Sequence, residues 1–321
     1  MPELYIQHLT VYNYQNSVRD SANQIMLYPI NDDYQQVIKQ DVKISGDPLV
    51  DVYFDYYGNE VGVFTYNEPH KELNIKSKLK VETYPRPLPV DDMFASLQWD
   101  KLEKLKNQIP YIDYLKQEQF DGLEELRQIV KPERKADYTP YQASLHFCKC
   151  IYENFEYIKG VTTVETTLDE IWQLKAGVCQ DFAHILLVML RLINIPARYV
   201  SGYICPNKNG MRGEGATHAW AEAYIPEYGW LGLDPTNNCI ANETHVRLAV
   251  GRNFSDCSPV KGVYKGGGDH SLNVSVMVGN EDNLQSDFGD IIESVNQTVN
   301  NRNSYQRHIE IVHQQQQQQQ Q

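Results

Sequence analysis

The first 84 residues alternate between apolar and polar positions in short runs. Val, Ile, Tyr and Thr are frequent in these runs, and clusters of Asn, Asp, Gly and Pro separate them. "YGNE" (57–60) is typical of a hairpin turn. Several short strands at close spacing predict an all-β sandwich. The predicted strands are 4–14, 24–30, 36–44, 51–66 with the turn inside it, and 73–84.

After this region the pattern becomes helical. The proline-rich residues 85–92, within "YPRPLPVDD", are suited to an interdomain linker. Residues 100–109, 122–130 and 141–155 each carry apolar side chains three or four positions apart. This spacing predicts three amphipathic helices.

A further helix is predicted to start within "GVCQDF" (177–182). Its first residue would be Cys179, and Asn194 and Pro196 would end it. Gly177 lets the incoming backbone turn tightly, and a helix N-terminus favours a thiolate over a thiol. Helical spacing predicts one buried face, made of Cys179, Phe182, Ala183, Leu186, Leu187 and Leu190.

Alternation returns after this helix, in 197–204, 217–225 and 229–235, and a glycine-rich stretch leads to a last strand at 272–278. The expected fold class is therefore α+β, with the cysteine helix packed on an antiparallel sheet. The predicted partition is a β-sandwich domain at 1–84, a linker at 85–92, a catalytic domain at 93–280, and a polar, disordered tail at 281–321 that ends in polyglutamine.

The charge balance narrows the classes of partner. The chain has 29 Lys and Arg residues and 42 Asp and Glu residues, which gives a net charge of −13. This balance disfavours nucleic acid and anionic membrane surfaces. We see no apolar run of about 20 residues, as a membrane span needs, and no signal-peptide pattern, so a cytoplasmic location is expected. Six cysteines in such a chain are most simply free thiols.

A thiolate nucleophile needs a base and a group that orients the base. "THAWAEAYI" places His218 on one face of a predicted strand. The next strand ends at Asp234, so a hairpin through "PEYG" would bring Asp234 within a few positions of His218, in a register that the sequence leaves open. Taken singly, each residue is more simply explained by its structure alone, as a core histidine or as a strand-ending Asp-Pro turn. The ordered set of helix-start Cys179, strand His218 and next-strand Asp234 predicts a catalytic triad.

Two segments carry a resemblance to a known family: "LKAGVCQDFAHILLVMLRLINIPARYVSGY" and "THAWAEAYIPEYGWLGLDPTNN". They look like the core of the bacterial transglutaminase-like family of papain-like cysteine enzymes. "HLTVYNY" and "DYYGNEVGVF" are similar to the β-rich domain that precedes this core in bacterial members, and "AVGRNFSDCSPVKGVYKGG" also resembles theirs. The resemblance implies a triad of Cys179, His218 and Asp234 and a papain-like core.

Other positions have weaker candidate roles. Family members pair the backbone N–H of the cysteine with an upstream side chain at the oxyanion, and Tyr157 is the candidate for it. Asp181, beside the nucleophile, is a candidate secondary residue at the site, although a helix cap is the favoured interpretation. Trp220, Trp230 and Tyr203 are candidates for a substrate cleft and equally for the core. No ligand spacing predicts a metal, and no cofactor is expected.

These features predict a cysteine-dependent hydrolase of amide or peptide bonds that acts through a thioester acyl-enzyme. The expected partner is a peptide or protein amide substrate, without nucleic acid or membrane, and the oligomeric state is left open. Two alternatives remain. One is an amine-transferring protein-glutamine transglutaminase with the same residues, and the other is a non-catalytic binding or scaffold module that kept the fold.

Overall fold

The computed structural model describes residues 2–133, 137–205, 211–213 and 217–279 of the chain. The predicted tail, 281–321, lies outside the described residues. The strands are β1 (Glu3–Ile25), β2 (Gln35–Ile44), β3 (Asp51–Phe54), β4 (Glu60–Tyr66), β5 (His70–Thr83), β6 (Glu156–Tyr157), β7 (Ala176–Gly177), β8 (Ala197–Ile204), β9 (Thr217–Ile225), β10 (Gly229–Asp234), β11 (Cys239–Ile240), β12 (His245–Gly251), β13 (Val260–Lys265) and β14 (His270–Gly279). The helices are α1 (Ala95–Leu105), α2 (Tyr111–Tyr114), α3 (Leu123–Glu133), α4 (Pro140–Asn154), α5 (Leu168–Leu174) and α6 (Cys179–Leu192), with one 3-10 turn at Phe254–Asp256.

The first sheet is organised by β1. This strand has 23 residues, and it extends the strand predicted at 4–14 as far as Ile25. The strand predicted at 24–30 was wrong beyond Ile25, because residues 26–30 lie outside any strand. Its first half pairs with β5 and β14, and its second half pairs with β4 and β13. The ladders are irregular between Asn13 and Val18 and between Arg19 and Ala22. Because such irregularities bend a strand, β1 can pair with β5 and β14 along its first half and with β4 and β13 along its second half.

The last two strands also belong to this first sheet. All ten residues of β14 pair with β1, from Tyr5 opposite Gly279 to Tyr14 opposite His270. The predicted partition placed these residues with the catalytic domain, and the observed pairing differs from it. The sheet to which a strand belongs depends on the strands with which it forms hydrogen bonds. The sequence pattern gives no signal for a partner more than 200 residues away.

The second sheet is antiparallel, in the order β11-β10-β9-β8-β12, and it supports α6. Ala219, Ala221 and Ala223 of β9 belong to the same buried core as this helix. On its other sides the helix packs against α3, α4 and α5. Residues off the predicted buried face, such as Ile185 and Val188, are therefore buried as well. The prediction of a single buried face was wrong, because α6 lies between a sheet and three helices.

A buried contact joins the two sheets. Tyr203 of β8, with Val246 and Leu248 of β12, packs into the core of the first sheet. The hydroxyl of Tyr203 lies 2.8 Å from Nδ1 of His8, whose other ring nitrogen lies 3.1 Å from the hydroxyl of Thr10. Burial lowers the pKa of His8 to about 4, so this imidazole is neutral near pH 7. The β-rich domain is thereby attached to the strand next to β9.

Candidate active site

Cys179 is the first residue of α6 and is half-buried. The turn before it is held by Asp181, whose Oδ2 accepts hydrogen bonds from the Val178 backbone N–H (2.7 Å) and from the Thr162 hydroxyl (2.6 Å). A Cβ at Gly177 would lie 2.3 Å from this same Oδ2, so only glycine fits there. Asp181 thus acts as a helix cap that fixes the start of α6.

The ionisation of Asp181 follows from the same contacts. Burial raises its pKa, and the hydrogen bonds from Thr162 and Val178 oppose that rise. Both of these bonds go to a single carboxylate oxygen, Oδ2. The geometry therefore shows Asp181 as a cap at the start of α6, which is the favoured interpretation of the sequence.

His218, near the start of β9, pairs with Asp234 at the end of β10. Its Nε2 lies 2.8 Å from Asp234 Oδ2, and both side chains are fully buried. Leu233 lies opposite Ala221 in the ladder, so Asp234 lies two residues from the position opposite His218. The hairpin predicted from the sequence therefore brings the imidazole and the carboxylate into contact.

Asp234 accepts several further hydrogen bonds. The backbone N–H groups of Thr236 and Asn237 donate to Oδ1 at 2.9 and 3.3 Å. The Asn237 side-chain amide donates to Oδ2 at 2.7 Å. Burial alone would raise the pKa of Asp234, but His218 and His245 hold it well below its usual range. The carboxylate is therefore ionised at neutral pH and fixed in orientation.

His245, at the start of β12, is a residue that sequence reasoning missed. Its Nδ1 accepts a hydrogen bond from the Asn242 backbone N–H at 3.2 Å, so its proton is on Nε2. That Nε2–H donates to Asp234 Oδ2 at 3.3 Å. Burial lowers the pKa of His245 more than Asp234 raises it, so this ring is a neutral donor. The only sequence signal was a polar residue opening the apolar run "HVRLAV".

The second ring nitrogen of His218, Nδ1, does not bond Asp234. Nδ1 is buried and forms no hydrogen bond of ordinary geometry with the part of the chain that the structure describes. Burial by itself would lower the pKa of His218. The charges of Asp234 and Cys179 outweigh this effect and raise the pKa from 6.5 to about 10. Cys179 is thus near enough for its charge to act on the imidazole. A thiolate at position 179 would stabilise an imidazolium at position 218.

Tyr157 lies close to the start of α6. β6 pairs in parallel with β7, and Tyr157 is opposite Gly177, two residues before the cysteine. Burial raises the pKa of Tyr157 to about 12, the charge of Cys179 adds to this rise, and Arg212 opposes it. The phenol is protonated at neutral pH and can donate a hydrogen bond.

The three aromatic candidates for a substrate cleft are buried or packed among other aromatic rings. Trp220 and Tyr203 are fully buried, and Tyr203 belongs to the contact between the two sheets. Trp230 is half-buried and packs edge-on against Tyr114 and Tyr224. In the described residues, therefore, Trp220 and Tyr203 expose no surface to a ligand, and Trp230 belongs to an aromatic cluster.

The buried polar cluster also has the composition of a metal site. Ligand atoms of His218, Asp234 and His245 lie within 4.8 Å of one another. The hydrogen bonds explain this proximity: both imidazole Nε2 atoms are directed at the same oxygen, Asp234 Oδ2. The arrangement is that of a carboxylate held between two imidazoles, each acting as a hydrogen-bond partner.

Thiol reactivity offers a direct test of the nucleophile. Burial raises the pKa of Cys239 to about 12 and raises those of Cys148 and Cys257 well above their ordinary value. Cys179 is half-buried and lies at the N-terminus of α6. We expect limiting iodoacetamide to modify Cys179 first in the native protein, as measured by peptide mapping. Preferential labelling of Cys148 or Cys257 would exclude the assignment.

Comparisons with known proteins extend these observations. The model of the transglutaminase-like superfamily matches residues 127–235, and that of the bacterial transglutaminase-like N-terminal region matches residues 4–82. An uncharacterised protein of Mycobacterium leprae is 31% identical over 282 residues, which make up 87% of this chain and 99% of that protein. A protein-glutamine gamma-glutamyltransferase of Pseudomonas aeruginosa is 35% identical over 92 residues, 26% of this chain and 14% of that protein.

A solved structure shares the fold. It is described as a candidate cysteine protease from Cytophaga hutchinsonii, with a TM-score of 0.66 and 21% identity, and the match covers 89% of this chain and 92% of that one. Within the described residues, no helix combines the length and the apolar character that crossing a membrane requires.

Proposed function

The chain belongs to the transglutaminase-like superfamily, and on that premise we propose that it is a cysteine-dependent hydrolase of amide or peptide bonds. The observation that supports this most is the buried His218–Asp234 pair (2.8 Å), in which Nε2 bonds the carboxylate and Nδ1 does not, while the charge of Cys179 acts on the ring. In this proposal His218 takes the thiol proton of Cys179.

The reaction proceeds in two halves. The Cys179 thiolate attacks the substrate carbonyl carbon, and the negative charge that develops on oxygen is stabilised by the Cys179 backbone N–H and the Tyr157 hydroxyl. His218 then gives its proton to the leaving nitrogen, the C–N bond breaks, and an amine or ammonia departs. A thioester remains. Water, deprotonated by His218, attacks this thioester, releases the carboxylic acid and restores the thiol.

Asp234 and His245 support His218 in this scheme. The carboxylate holds the imidazole with Nδ1 directed away from it and stabilises the imidazolium that forms in each half-reaction. His245 and Asn237 hold the carboxylate from other sides. Three side chains therefore fix the orientation of a single general base.

The choice of water over an amine rests on access to the thioester. Water is present at about 55 M, whereas an amine competes only when the protein binds it close and oriented. Trp220, an aromatic candidate for an amine tunnel beside His218, is fully buried, and Trp230 is packed among tyrosines. Hydrolysis is therefore favoured. The similarity to a protein-glutamine gamma-glutamyltransferase over 92 residues supports amine transfer as the second candidate.

Product partition tests this choice. We expect that a glutamine-containing peptide, supplied with a labelled primary amine at millimolar concentration, yields mainly the hydrolysed product, because water reaches the thioester without a binding site. Mass spectrometry of both products gives the ratio, with the Cys179→Ala protein as the control for uncatalysed reaction. Labelled amine in most of the product would identify a transglutaminase. Turnover equal to that of the Cys179→Ala control would favour a non-catalytic scaffold.

A further inference from the structure

Arg212 has an unused hydrogen-bond donor beside the candidate active site. Its Nη1 is buried and has no hydrogen-bond partner within residues 2–133, 137–205, 211–213 and 217–279. The guanidinium carbon lies 4.6 Å from the ring centroid of Tyr152 on α4, so the planar group is stacked and has few rotamers to lose. A buried guanidinium N–H without an acceptor is costly unless something binds there.

The backbone of this segment is tied to the triad. The Arg212 N–H donates to Asn237 Oδ1 at 2.8 Å, and the Asn237 amide donates back to the Arg212 carbonyl at 3.2 Å. The same Asn237 amide donates to Asp234 Oδ2 at 2.7 Å. One side chain therefore sets the position of Arg212 relative to the carboxylate that orients His218.

The neighbouring residue places this segment over the reactive atoms. A Cβ built on Gly213 would lie 3.0 Å from His218 Nδ1 and 3.8 Å from the Tyr157 hydroxyl. The charge of Arg212 lowers the pKa of Tyr157, while that of Cys179 raises it, so both groups lie near this phenol. The guanidinium is therefore attached to backbone that lies against His218 Nδ1 and the Tyr157 hydroxyl, two groups that act on the substrate carbonyl in the proposed mechanism.

From this geometry we propose that Arg212 binds a carboxylate of the peptide substrate, next to the amide that Cys179 attacks. The inference rests on the proposed function and adds the substrate class. A guanidinium presents its donors as a planar fork that matches a carboxylate, and charge-assisted bonds are about twice as strong as neutral ones. An anionic substrate is repelled by a protein of net charge −13, and a cation at the site offsets that repulsion locally.

The carboxylate can come from an acidic side chain or from a peptide C-terminus, and one set of probes separates the two. The probes are acetylated heptapeptides with a central glutamine and an amidated C-terminus, with Glu, Gln or Lys at each flanking position in turn. One further member ends in a free carboxylate. We expect one position, or the free C-terminus, to raise kcat/KM about tenfold or more over its neutral counterpart.

Variants show whether Arg212 is the cause. In Arg212→Gln the ratio between the acidic and neutral probe should fall to about one, and in Arg212→Glu the preference should move to a lysine-bearing probe. Lys149→Gln, which removes an exposed charge from α4, is the matched control and should keep the wild-type ratio. A role restricted to stacking on Tyr152 would not reverse a charge preference.

A binding measurement separates this inference from the proposed function. The same probes are titrated into Cys179→Ala protein and into the Cys179→Ala, Arg212→Gln double variant, and affinity is followed by calorimetry. Tighter binding of the acidic probe to the single variant alone supports the subsite even if no probe is turned over. Equal affinities for acidic and neutral probes, or a preference that survives Arg212→Gln, would overturn it.

Discussion

Replacement of Cys179 by alanine is expected to lower turnover by about 10³-fold or more, because the thiolate that forms the acyl-enzyme is lost. The fold should remain, since removing one half-buried sulfur costs on the order of 1–2 kcal/mol. Steady-state kinetics on an amide substrate and urea unfolding measure the two effects separately. His218→Ala in the same background should add little, because the two residues act as a unit.

The matched control is Cys150→Ala. Cys150 is also half-buried but lies on α4, outside the proposed triad. Its replacement should leave kcat within about twofold of wild type, since surface and partly buried substitutions away from a site act through stability alone. Comparable losses of activity in the Cys150 and Cys179 variants would show that the effect reports on folding, and the nucleophile would have to be sought elsewhere.

Replacement of Asp234 should affect both stability and catalysis. Asp234→Ala leaves the ring N–H groups of His218 and His245 without their acceptor, so we expect a loss of about 3–5 kcal/mol in the free energy of unfolding. Asp234→Asn keeps an acceptor and a similar shape but removes the charge, so it should retain more stability and still lower kcat by up to about 10⁴-fold. Urea unfolding and kinetics on the two variants test this.

The stability difference between wild type and Asp234→Asn should depend on pH in a defined direction. The pKa of His218 is raised from 6.5 to about 10, so its contribution is complete below pH 6.5 and is lost as the pH rises through 10. The pKa of Asp234 is lowered, so its contribution is present above its ordinary value and is lost in acid. The difference should therefore shrink between pH 6.5 and 10. A difference that grows over this range would contradict the assigned ion pair.

Local patterns predicted the parts of the site that lie close together in the chain. The start of α6 follows from a glycine, a cysteine and an apolar run, and the His218–Asp234 contact follows from a short hairpin. His245 gave no such signal, because its contact with Asp234 depends on β12 pairing with β8 at the far side of the second sheet. The burial of Trp220 and Tyr203 was equally hidden, since an alternating strand does not show what covers its second face.

The same limit applies to the domain partition. The strand predicted at 272–278 alternates like any other strand, and only the ladders show that β13 and β14 complete the first sheet. The fully buried surroundings of α6 were also beyond a periodicity argument, because helical spacing identifies a buried face and is silent about helices packed behind it. Sequence patterns therefore identified β2 to β5, β8 to β10, α3, α4 and α6, but they missed α5, β12 and β13. Partners distant in the chain required the three-dimensional arrangement.

The pairing of β1 with β13 and β14 has a consequence for how the chain folds. Contacts such as Tyr5 with Gly279 join residues at opposite ends of the described fold, which gives this sheet a high contact order. During synthesis at about 5–20 residues per second, β1 leaves the ribosome long before either partner exists. Until β13 and β14 have been synthesised, β1 can pair only with β4 and β5. The first sheet therefore cannot be completed until every strand of the second sheet has been synthesised.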